Sequence, residues 1–146
     1  AFKTFAQSGF EIRGGVGFVD LVHIGLKYNA KISPGLNIGL YDPFVKHKTG
    51  LFVIEPCAYY HYSLKDDSSE RKPWYVKNGL AWLNLRPNEK SLFFTVRFGG
   101  EIYLVDHIGI SIDVGLNIEL WTSFKTELIN SPPALPGFGM CLFFKL

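Results

Sequence analysis

The sequence predicts an all-β fold in which eight antiparallel strands close into an up-and-down barrel. From Ile108 to Leu120 an apolar residue occupies every second position, and small or polar residues fill the positions between them. Alternation with a period of two is typical of a two-faced strand. The pattern recurs about eight times and reaches the last residue, Leu146. A chain of 146 residues is long enough for one barrel domain, residues 1–146, and too short for a second folded unit.

Taken in order, the alternation predicts strands over 9–18, 21–32, 35–41, 51–64, 74–85, 92–105, 108–121 and 138–146. The breaks between these strands carry turn-forming residues. They lie near 19–20, at 33–35, 43–50, 65–73, 87–90, 106–107 and 122–137. The last break is the longest, and its Pro132, Pro133 and Pro136 are typical of an irregular connection.

Alternation alone does not show which face is inside, because soluble barrels with an apolar interior alternate too. Most of the 15 glycines fall on the polar parity, and glycine makes room in a narrow interior that must also hold large side chains. The sequence therefore predicts that the polar face fills the lumen of the barrel.

All charged residues of the strand interiors share that polar parity. They are Glu11, Arg13, Lys27, Glu55, Lys77, Arg97, Glu101, Asp113, Glu119 and Lys145. A charge facing lipid costs roughly 2–4 kcal/mol near the midplane of a bilayer, so their absence from the apolar face is typical of a transmembrane barrel. We expect the ten to form a salt-bridged network in the lumen, since unpaired buried charges are costly.

Composition excludes several classes of function. A formal charge of +2, with 15 basic and 13 acidic residues and no basic cluster, disfavours nucleic-acid binding. Cys57 and Cys141 share the inward parity of strands that are not neighbours, which predicts two buried free thiols. His23, His47 and His107 lack the spacing of metal ligands, so no metal or cofactor is predicted. No leader precedes Ala1, and we expect that an export signal has been removed.

Two segments resemble small OmpA- or OmpX-like outer-membrane barrels. Arg97 to Gly109 is similar to their periplasmic hairpin, in which a glycine pair and an acidic residue precede a tight turn. The chain end, with apolar residues at alternate positions, is similar to their C-terminal assembly signal; these residues are Phe138, Met140, Leu142, Phe144 and Leu146, the last where an aromatic residue is commonest. Residues 73–75 and 133–136 resemble uncharacterised small barrels of Bacteroidota-type outer membranes.

The resemblance implies a place in a Gram-negative outer membrane, contact with its lipid or lipopolysaccharide, and assembly by the barrel-insertion machinery. An eight-stranded lumen is just filled by side chains, which disfavours a porin. The sequence thus favours a barrel without catalytic activity, a structural or accessory subunit that binds a larger outer-membrane protein.

Three alternatives stay open. Residues 122–137 could act in surface adhesion. His61, Ser63 and Glu55 share one parity and resemble the His-x-Ser of lipid A deacylases, although that motif lies on a later strand in the family. A soluble lipocalin-like carrier would also show the alternation.

Overall fold

The computed structural model describes residues 9–18, 21–40, 52–62, 72–86, 89–123 and 134–146. These ranges contain eight strands: β1 (Phe10–Gly17), β2 (Leu21–Tyr28), β3 (Ile32–Leu40), β4 (Phe52–Tyr62), β5 (Trp74–Arg86), β6 (Glu89–Val105), β7 (Ile108–Thr122) and β8 (Ala134–Lys145). Each strand pairs antiparallel with the next along the chain, and β1 also pairs with β8. The predicted all-β, eight-stranded up-and-down barrel is confirmed.

The two faces of the sheet differ as the alternation predicts. On β2, Val22, Ile24 and Leu26 lie exposed on the outside, whereas His23 and Lys27 between them are buried. The same alternation runs along the other strands, so the polar parity faces the interior. Among the described residues, no helix is long and apolar enough to cross a bilayer.

The predicted turn at Ser33, Pro34 and Gly35 is wrong, because these residues belong to β3 and the chain turns before Ile32. The Ser33 hydroxyl accepts from the Ala30 N–H at 3.2 Å and donates to the Ala30 carbonyl at 3.0 Å, which closes that turn. Proline is tolerated in a strand where one side is unpaired. Pro34 pairs with Ala58 on β4, whereas the pairing of β3 with β2 extends only to Gly35.

The predicted connection over 122–137 is too long, since β7 ends at Thr122 and β8 begins at Ala134. Pro136 fits the strand because it pairs with β7 alone, whereas β1 first meets β8 at Gly139. Leu135 packs inward. The rest of that connection, 124–133, lies outside the described residues. β6 likewise begins at Glu89, three residues before the predicted start.

We call the end of the barrel where β1 begins and β8 finishes the termini end, and the opposite one the far end. Towards the far end the interior includes an apolar cluster: Val53, Ala81, Leu83 and Phe93 are buried together, and Leu135 packs against them. The predicted polar lumen therefore describes only part of the interior. All five residues share the inward parity, so the sequence carried this signal.

Candidate functional site

The charged lumen is the candidate site, and its first group lies at the termini end. Lys27 Nζ lies 2.9 Å from Glu101 Oε1 and 3.1 Å from Glu11 Oε1, and Arg13 Nη1 lies 3.4 Å from each of these oxygens. Register explains part of this, because Glu11 and Lys27 are direct cross-strand partners on β1 and β2. We call this group the termini cluster; its members are Glu11, Arg13, Lys27 and Glu101. It has two cations and two carboxylates, so its charges balance.

Aromatic rings surround the termini cluster. The Arg13 guanidinium lies 5.0 Å from the ring centre of Tyr59 and 5.7 Å from that of Phe143, within range of cation–π attraction. Tyr103 donates its hydroxyl proton to Glu101 at 3.2 Å and accepts from Lys145 Nζ at 2.6 Å. Lys145, at the termini end, is thus connected to Glu101 through the Tyr103 hydroxyl.

The second group is centred on Glu55, which is fully buried. Its Oε2 accepts from Lys77 Nζ at 2.6 Å and Asn37 Nδ2 at 2.9 Å, while its Oε1 accepts from Thr95 Oγ1 at 2.7 Å. The donors come from β5, β3 and β6. One carboxylate on β4 therefore ties together three other strands.

The third group pairs Arg97 on β6 with Asp113 on β7, with 3.3 Å between Arg97 Nη1 and Asp113 Oδ1. Tyr75 donates its hydroxyl proton to Asp113 at 2.9 Å. Arg97 also donates to two backbone carbonyls, that of Phe18 at 2.8 Å and that of Phe138 at 3.4 Å.

The structure thus distributes the ten predicted lumen charges over three groups and the rims. Eight are buried within the groups, whereas Lys145 is half-buried at the termini end. Glu119 is also half-buried, and it lies on β7 beside a shift in register with β6. Parity predicts which face a charge lies on, but it does not predict which partner the charge meets.

Two residues of the hydrolase alternative, His61 and Glu55, lie among the described residues. His61 lies at the termini end, with Nε2 3.4 Å from Lys27 Nζ and its ring tilted against Tyr75 at 5.6 Å. Glu55 is engaged in its own group. Ser63 lies outside the described residues.

The two cysteines are free and buried, as predicted. Cys141 Sγ lies 3.1 Å from His23 Nε2, a contact that the sequence analysis missed. The contact depends on register, which the alternation does not give: both residues are cross-strand partners of Gly15. Among the described residues, no three His, Cys, Asp or Glu side chains gather as metal ligands.

The five residues of the predicted assembly signal all lie on the outer face. Phe138, Met140, Leu142, Phe144 and Leu146 are exposed. Comparison with protein-family models, curated proteins and solved structures finds no match for this chain. The resemblance to OmpA- or OmpX-like barrels therefore stays a prediction.

Glycine on the inner face makes room for the charged groups, and Gly99→Ala tests this. A Cβ on Gly99 would lie 2.6 Å from both the Ile112 carbonyl oxygen and Tyr75 Cζ. We expect Gly99→Ala to lower the free energy of unfolding by about 1–3 kcal/mol through overpacking. The control is Gly14→Ala on the outer face, where a Cβ meets no atom within 4 Å. Urea unfolding should show no loss for Gly14→Ala, and equal losses would contradict the proposed crowding.

Proposed function

We propose that this chain is an integral barrel of the bacterial outer membrane, without catalytic activity, that serves as a structural or accessory subunit of a larger complex. The observation that carries the proposal is the exposed apolar surface of the barrel's outer face. Ile24, Leu40, Ile102, Val114 and Leu142, from five of the strands, all lie exposed. Soluble monomers rarely expose apolar surface of this extent, whereas a membrane barrel requires it.

Aromatic residues near the strand ends support the same proposal. Trp82 stacks on Trp121 towards the far end, with ring centres 5.8 Å apart, and Trp74 stacks on Phe98 towards the termini end at the same separation. Trp74 and Trp82 are eight residues apart on β5. At the usual rise and tilt of barrel strands this spacing is about 20 Å along the barrel axis. Aromatic girdles flank an apolar band of about 25 Å in known membrane barrels.

The filled interior supports an accessory role rather than a channel. Charged groups occupy the lumen from the termini end, and the apolar cluster around Phe93 occupies its far end. An eight-stranded barrel is just wide enough for such side chains. The polar interior also lacks the character of an apolar carrier cavity. The outer wall and the rims are then the surfaces through which the protein acts.

Extraction of native membranes in mild detergent tests the proposal. We expect the chain to leave the membrane only with detergent and to migrate, during sizing, in a complex larger than one barrel in a micelle. Mass spectrometry of that complex identifies the partner. Recovery in the detergent-free fraction would contradict membrane insertion, and migration as a lone barrel would contradict the role of a subunit.

A further inference from the structure

Beside a smaller depression of about 290 Å³ around Val76, Val96 and Leu116, the outer wall carries a larger apolar groove. It has a volume of about 560 Å³ and is lined by Trp74, Phe98, Gly100, Ile102, Ile112 and Val114. We call it the Gly100 groove. It crosses β5, β6 and β7 on the side of the barrel near the termini end. Its outward side chains are apolar, and Glu101 and Asp113, which also border it, pair their carboxylates inside the lumen.

The groove exists because Gly100 faces outward without a side chain. Its cross-strand partners are Trp74 on β5 and Ile112 on β7. A Cβ on Gly100 would lie 3.3 Å from Trp74 Cζ3, tighter than ordinary contact. Any larger residue at this position would therefore enter the groove or displace the indole.

Aromatic packing holds the wall of the groove in place. Trp74 stacks on Phe98 with an angle of 15° between the rings, and Tyr62 packs against Phe98 from β4 with ring centres 5.9 Å apart. A site that is formed before binding loses less entropy when it is occupied. The groove is thus suited to a defined ligand.

Charge at the rim indicates what that ligand carries. Lys72 is exposed and directly precedes Pro73, which also borders the groove. A lysine beside an apolar belt can extend its ammonium group towards lipid phosphates. The site therefore combines an apolar groove with an exposed lysine one residue from its lining.

From this combination we infer that the Gly100 groove binds one acyl chain of a phospholipid whose phosphate contacts Lys72. The inference rests on the proposed function, because it requires the outer face to lie in lipid. A phospholipid fits both halves of the site, since it joins a linear apolar chain to an anionic group.

Native mass spectrometry of the detergent-purified protein tests the inference with matched variants. Gly100→Leu fills the groove, and Gly14→Leu adds the same side chain at an outward glycine with open space around it. We expect the wild type and Gly14→Leu to retain one phospholipid. Gly100→Leu should retain it about tenfold less, equivalent to about 1.4 kcal/mol. Equal retention in all three would overturn the inference.

A second pair keeps the test valid if Gly100→Leu does not fold. Lys72→Gln removes the cation at the groove, and Lys31→Gln removes another exposed lysine at the termini end, in the turn between β2 and β3. Only Lys72→Gln should lower retention, and equal effects would contradict a phosphate contact. Capture of a protein in place of lipid, lost in Gly100→Leu, would also overturn the inference.

Flotation with phospholipid vesicles separates this inference from the proposed function. A wild-type chain that fails to float would overturn both. A chain that floats while Gly100→Leu retains lipid like the wild type would overturn the groove alone.

Discussion

Glu55→Ala is expected to lower the free energy of unfolding by about 3–5 kcal/mol, the usual cost of removing one partner of a buried ion pair. Lys77, Asn37 and Thr95 all lose an acceptor, and the Lys77 charge stays buried. Urea unfolding of the barrel in detergent or lipid measures the loss. A change below about 1 kcal/mol, the value for exposed pairs, would show that the Glu55 group contributes little to stability.

Two further variants control this prediction. Glu119→Ala removes a half-buried carboxylate from β7 and should cost much less, because that group keeps contact with water. The double variant Glu55→Ala with Lys77→Met removes both charges of the pair. It should recover much of the lost stability, since replacing a buried pair by apolar residues is often neutral. A double variant as unstable as Glu55→Ala would contradict the role of the Lys77 charge.

Ile24→Arg should destabilise the protein by about 2–4 kcal/mol in lipid, the cost of a cation on the lipid face near the midplane. Ile24 lies midway along β2, is 62% exposed and pairs with Gly14 and Ile38. A surface substitution in water usually changes stability by less than about 0.5 kcal/mol. The same variant should therefore lose much stability if the protein is a membrane barrel and little if it is a soluble one.

Ile32→Arg is the matched control, because Ile32 is 60% exposed but begins β3 at the termini end. Near the interface an arginine costs only about 0–1 kcal/mol. Unfolding in lipid vesicles should separate the two variants. Equal and small losses would contradict a lipid-facing wall, and equal large losses would place Ile32 deeper than the strand ends indicate.

Most of the fold could be predicted from period-two alternation, because a closed barrel leaves every strand with one buried and one outer face. Strand starts were harder to predict at Pro34 and Pro136, since proline is typical of a turn. Both residues stand where the strand pairs on one side only. That condition depends on register, and the alternation does not encode register.

The candidate site could be predicted only as a set of inward charges. Whether Glu55 meets Lys77 or Arg97 depends on strand tilt and stagger, which are properties of the closed barrel. The Gly100 groove could not be predicted either. An outward glycine predicts a groove only once its neighbour is known, and the sequence does not show that Trp74 lies opposite Gly100.

Arg97 adds side-chain hydrogen bonds to the seam between β1 and β8, which backbone pairing also holds together. β1 and β8 are farthest apart in sequence, so their pairing has the highest contact order in the barrel. Arg97 is contributed by β6 and oriented by Asp113 on β7, and it donates to a carbonyl at the end of β1 and to another on β8. Lateral opening of the seam must break these charge-assisted hydrogen bonds as well as the backbone ladder. The interior charges therefore resist lateral opening of the wall at the junction where the chain closes on itself.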